Sequence, residues 1–276
     1  MTTQGDGPAP PRRGPSSNAT EAGWVKAGSI ENKRLITWEI IIVMGISFGR
    51  SGVASILSIV EKLTRHVPLA EQTTTQNNSV TPDRVWLDLA YQIYYFILPL
   101  SQVLLVLLLL HLGYSQARRL IGLDLTRVDL VKGFAICAAI GIPGIGFYLL
   151  AREIGINTNV APANLVETWW TIPVLVGSAI VAGLSEETVM VGYLFTRLRT
   201  LKWSPLWVVV LSGAIRGSYH LYQGFGGFIG NLVMGLGFGW LYLRWKRVMP
   251  LVVAHALLDI FAFVGYSLLA PYLTWL

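Results

Sequence analysis

The sequence predicts an all-α, polytopic transmembrane helix bundle of about seven spans with a cytoplasmic N-terminus. Three observations carry this reading. The 276 residues are 53% hydrophobic and only 13% charged, whereas soluble domains carry about 25% charged residues. Their mean hydropathy is +0.55. The apolar residues also gather into runs of about 20, the length a helix needs to cross a bilayer. The length would admit one or two soluble domains, but the apolar runs use up nearly all of it.

Taken in order, residues 1–34 form an expected disordered cytoplasmic tail, rich in Pro, Gly, Ser and Thr and without apolar periodicity. No short apolar region with a small-residue cleavage site precedes the first long run, so no cleavable signal peptide is expected. The transmembrane helical domain then occupies 35–276, with spans expected at 35–60, 85–112, 131–150, 169–195, 204–222, 225–245 and 248–269. Polar loops are expected at 61–84 and 155–164. Cys137, the one cysteine, reads as a small core residue. Gly213/Gly217, Gly226/Gly230 and Gly235/Gly239 are small-xxx-small pairs, which let helix backbones approach closely. Tryptophans near span ends, such as Trp38, Trp86, Trp169 and Trp275, read as interface anchors.

Charge tests the layout. With the N-terminus inside, fifteen of the 21 Lys and Arg residues fall in cytoplasmic segments and four outside, leaving Arg50 and Arg216 within spans. That asymmetry follows the positive-inside rule. The net charge of +6 is therefore explained by topology, and no nucleic-acid partner is expected. The partners expected are the lipid bilayer and a membrane-anchored peptide or protein, in a multi-pass protein of the cell membrane, with the tail pointing to a bacterial plasma membrane.

Ionisable residues inside the apolar runs mark the candidate site. Glu186 and Glu187 stand side by side in the fourth span. A charge at the centre of a bilayer costs roughly 2.5–3.5 kcal/mol on insertion scales, so such residues are usually functional and paired. Arg216 and His220 are four apart on the fifth span, and His255 and Asp259 are four apart on the seventh. Residues at that spacing share a helix face. One intramembrane histidine is an ordinary packing residue; three helices each carrying such groups imply mutual pairing. A glutamate beside a histidine can activate water as a general base, and histidine can also polarise a carbonyl or bind a metal. The set suits water attack on an amide. Internal repeats, common in transporters, are not detectable.

These three spans resemble the CPBP family of intramembrane proteases, which includes the type II CAAX prenyl endopeptidases and abortive-infection proteins. The family pattern is E-E-x-x-x-R, then F-x-x-x-H, then H-x-x-x-N or H-x-x-x-D. Glu186-Glu187 resembles the first motif, His220 the second, and His255 with Asp259 the third, over about 169–264. The resemblance implies an intramembrane endopeptidase with catalytic residues Glu186, Glu187, His220, His255 and Asp259. Glu186, with Glu187, would activate the water and His220 assist it; His255 and Asp259 would stabilise the oxyanion or hold the site together. It also raises zinc as a cofactor, for which Glu187, His220 and His255 are the expected ligands; no H-E-x-x-H is present. Two positions depart from the pattern: Val191 stands where the motif has arginine, and Arg216 where the second motif has phenylalanine. Arg216 is thus the expected counter-ion of the glutamate pair, with Arg50 as its rival. The alternatives are a non-catalytic scaffold or immunity protein on the same fold, a proton-coupled transporter, and a rhomboid-type serine protease using Ser185.

Overall fold

The computed structural model describes residues 32–269 and Tyr272. Most of the expected tail, and Trp275, lie outside the described residues. Among those described, the long helices are α1 (Lys33–Thr64), α2 (Val85–Gly113), α3 (Arg127–Glu153), α4 (Thr171–Thr200), α5 (Pro205–His220), α6 (Phe225–Trp245) and α7 (Met249–Leu269). The protein is a multi-pass helical membrane protein.

Six of these helices are long and apolar enough to cross a membrane. About seven were expected. The exception is α5, whose 16 residues rise about 24 Å, short of the ~30 Å core. Both of its ends are set locally. Ser204 accepts a hydrogen bond from the Trp207 amide and Pro205 occupies the first turn, a helix-start arrangement. Directly after His220 the backbone tightens into a 3₁₀ turn, Leu221–Gln223, which ends at Gly224 with φ 115°. Only glycine adopts that angle without strain.

The glycine pairs place α5 against α6 as expected. A Cβ on Gly235 would stand 2.8 Å from the Gly213 Cα, and one on Gly217 would stand 2.9 Å from the Phe228 carbonyl oxygen. Helix α4 packs on α7 in the same way: a Cβ on Gly183 would meet the Ala256 amide and the Val252 carbonyl at 3.0 Å. Ser212 Oγ of α5 donates to the Met190 carbonyl of α4 at 3.1 Å, so α4, α5 and α7 meet around the buried ionisable residues. Cys137 is buried and free.

The polar loops are more ordered than their composition implies. β1 (Thr73–Thr75) pairs in parallel with β2 (Asn159–Ala161). The ladder is tied to the turn after α5: the Thr158 amide donates to the Gln223 carbonyl at 2.8 Å, Gln76 Nε2 to Tyr222 Oη at 2.6 Å, and Lys62 Nζ to the Tyr222 carbonyl at 2.8 Å. The loops thereby fix the backbone that follows His220.

Arg197, counted above among loop cations, is instead buried within α4. Its Nε donates to Glu39 Oε1 at 2.7 Å and its Nη2 to the Leu109 carbonyl at 2.6 Å. Tyr193 Oη donates to the same Glu39 oxygen at 2.9 Å. Glu39 on α1, unremarked in the sequence, is the acid that makes this burial tolerable.

Candidate active site

Glu186 and Glu187 end the first α-helical part of α4. The next turn, Thr188–Tyr193, is a π-helix. A π turn inside an α-helix inserts an extra residue and recurs at functional sites. Here it rotates the remainder of α4, which goes on to the Arg197–Glu39 pair.

The two carboxylates have different surroundings. Glu187 is fully buried, and its Oε1 receives Arg216 Nη2 at 2.5 Å and meets His255 Nδ1 at 2.7 Å. The Glu186 side chain keeps 16% of its surface exposed. Its Oε2 accepts from Tyr219 Oη at 2.6 Å and lies 3.5 Å from Arg216 Nη1. Arg216, 1% exposed, thus spans both acids from α5, with its guanidinium 5.5 Å from the Phe238 ring of α6. The expected counter-ion is in place. Arg50, the rival, is exposed on α1, opposite the Gly52 face that meets Ser218 of α5, and forms no ion pair among the described residues.

His255 is held between two acids. Its Nε2 lies 3.5 Å from Asp259 Oδ2, one turn on along α7, while Nδ1 faces Glu187. His220 differs: both of its ring nitrogens are buried and neither has a hydrogen-bond partner. Its ring is flanked by Tyr219, centroids 4.8 Å apart, and Tyr222, at 6.3 Å. Glu187 Oε2, Thr188 Oγ1 and Arg216 Nη1 also lack hydrogen-bond partners. Buried polar groups are normally satisfied, so this cluster of unpartnered donors and acceptors sets the site apart from the packed core around it.

The structure therefore gathers Glu186, Glu187, Arg216, His255 and Asp259 through direct contacts, with His220 beside them. It adds one residue that the sequence did not single out. Tyr219 holds Glu186 and is stacked by Phe48 of α1, centroids 4.9 Å apart. Its place three residues after Arg216 and just before His220 was the available signal.

The expected zinc ligands do not fit a metal in this arrangement. Among the described residues no three His, Cys, Asp or Glu side chains are placed to hold one. The Glu187 oxygen nearest His255 is already taken by a guanidinium, which puts a fixed positive charge where a ligand oxygen would have to meet a cation.

The family model for the Rce1-like type II CAAX prenyl endopeptidases matches residues 168–261, about a third of the chain. The match runs from the residues before α4 to the middle of α7, so it contains every residue of the site. It bears out the resemblance to the CPBP proteases and supports, at family level, a CAAX-type intramembrane protease. No curated protein and no solved structure gives a significant match to the chain.

Proposed function

We propose that this protein is an intramembrane endopeptidase, and that it hydrolyses a peptide bond of a membrane-anchored peptide or protein by attack of water activated at Glu186. The observation that carries the reading is the asymmetry of the two glutamates. Glu187 is consumed by Arg216 and His255. Glu186 has one oxygen steadied by Tyr219, while Oε1 receives no hydrogen bond among the described residues. A base needs one fixed and one open oxygen.

In the proposed reaction a water lies between Glu186 and His220. Its proton passes to Glu186 Oε1 as its oxygen bonds to the scissile carbonyl carbon. The carbonyl oxygen takes up the negative charge. The unpartnered N–H of His220 is the donor for it, and fixed donors of that kind supply much of the rate of such reactions. The C–N bond then breaks, the proton on Glu186 moves to the departing nitrogen, and the products are a carboxylic acid and an amine. Arg216, Glu187, His255 and Asp259 form the chain that holds the base in place. No step draws on a metal.

The test is cleavage of membrane-anchored peptides by the purified protein in proteoliposomes made in ¹⁸O-labelled water. One ¹⁸O in the new C-terminal carboxylate shows hydrolysis, and cleavage that persists in Ser185→Ala supports direct water attack over an acyl-enzyme. Intact peptides under conditions where the protein is folded would support the non-catalytic scaffold, and solute uptake by the same vesicles a carrier.

A further inference from the structure

Arg50 is the charged residue that the site does not absorb. It lies in α1, twelve positions after Trp38 and twelve before Lys62. At 1.5 Å per residue this leaves about 18 Å of helix on either side, near the middle of a hydrocarbon core of about 30 Å. Its neighbours on the same face, Ile46, Val53 and Leu57, are all exposed and apolar. The opposite face is the one that binds the bundle: Phe48 stacks on Tyr219, and Ser55 Oγ accepts from the Tyr222 amide at 2.6 Å.

Other cations within the spans are answered. Arg216 meets Glu187, Arg197 meets Glu39, and Lys62 donates to Ser58 and to the Tyr222 carbonyl. Among the described residues, Arg50 has no carboxylate within ion-pairing distance. An arginine facing lipid at mid-depth is strongly disfavoured unless something pairs with it. We infer that the exposed face of α1 around Arg50 docks a transmembrane helix of another protein, one carrying an aspartate or glutamate at the same depth.

Two other occupants fit less well. A phospholipid phosphate sits at the interface, about 15 Å from the midplane, farther than an arginine side chain extends. Among the described residues, a second copy of this chain offers no acid at that depth that lacks a partner. Glu39 and Glu187 are in ion pairs, Glu186 is bonded to Tyr219, and Asp259 faces His255. The inference is independent of the proposed protease activity, since Arg50 points away from the glutamates.

The probe is a leucine–alanine transmembrane peptide of about 23 residues with a single central Glu, compared with otherwise identical central-Gln and central-Leu peptides. Binding to the full-length protein is read by energy transfer in phosphatidylcholine vesicles. The central-Glu peptide is expected to bind roughly tenfold more tightly than either control, the size of a good intramembrane hydrogen-bonded contact. Arg50→Leu and Arg50→Gln are expected to remove that preference while leaving the thermal unfolding transition in place. Equal binding of the three peptides to the wild-type protein overturns the inference. So does self-association of the wild-type protein that Arg50→Leu abolishes, which assigns the face to a second copy. So does a wild-type preference for anionic phospholipid over phosphatidylcholine that Arg50→Leu abolishes, which assigns Arg50 to a headgroup.

Discussion

Arg216 on α5 and Glu187 on α4 meet at 2.5 Å, Nη2 to Oε1, with side chains 1% and 0% exposed. One turn beyond Glu187, where the related motif carries an arginine, the residue is Val191, itself buried. The cation that meets Glu187 thus stands on the neighbouring helix. Removing one member of a buried ion pair costs about 3–5 kcal/mol, because the other is left uncompensated. Arg216→Ala is therefore expected to lower stability by that amount, read from unfolding in mixed micelles. Arg216→Phe combined with Val191→Arg is expected to recover much of the stability and activity. A double variant as damaged as the single one would show that the two positions are not interchangeable.

Glu186 and Glu187 should separate in mutation. Glu186→Gln keeps the size of the side chain and the acceptor for Tyr219, so the unfolding transition should stay close to wild type while turnover falls about 10²–10⁴-fold, the contribution of a general base. Glu187→Ala should instead unfold at lower temperature, since Arg216 and His255 both lose their acceptor. Paired melting and turnover measurements distinguish the two outcomes.

Tyr219→Phe removes the 2.6 Å bond to Glu186 and keeps the ring that stacks on Phe48. The expected stability loss is about 1 kcal/mol. Turnover should fall more than substrate affinity, because the base is left free to rotate. A change confined to KM would place Tyr219 on the substrate side of the site.

The Arg197–Glu39 pair is expected to serve stability. It lies beyond the π turn from the glutamates and is held further by Tyr193 and the Leu109 carbonyl. Arg197→Ala should cost about 3–5 kcal/mol, measured by the same unfolding assay, with the activity per folded molecule largely kept.

Most of the site was legible because charge inside an apolar run is conspicuous. Glu186, Glu187, Arg216, His220, His255 and Asp259 all stand out against leucine, valine and glycine, and i, i+4 spacing fixes two of the pairs on single faces. Tyr219 was legible only through its place between Arg216 and His220, since a tyrosine in an apolar helix carries no such contrast. Arg197 was misplaced because a cation near a span end ordinarily belongs to the loop, and only its contact with Glu39 shows otherwise. The length of α5 was overestimated for a related reason. Apolar residues continue through Leu221 and Tyr222, but the cap at Ser204 and the φ of 115° at Gly224 bound the helix through backbone geometry that hydropathy does not register. The π turn in α4 has no periodic signature in six residues, and the β1–β2 ladder is only three residues long on each side, too short to be read from composition.

In the proposed hydrolysis Glu186 activates the water and His220 donates to the scissile carbonyl oxygen. Its most direct measurement is the turnover of a membrane-anchored peptide by purified wild-type protein, Glu186→Gln and His220→Ala in the same proteoliposomes, each checked for an intact unfolding transition. The expected result is cleavage by the wild type and a loss of about 10²-fold or more in each variant. Cleavage that persists in both folded variants would contradict the account.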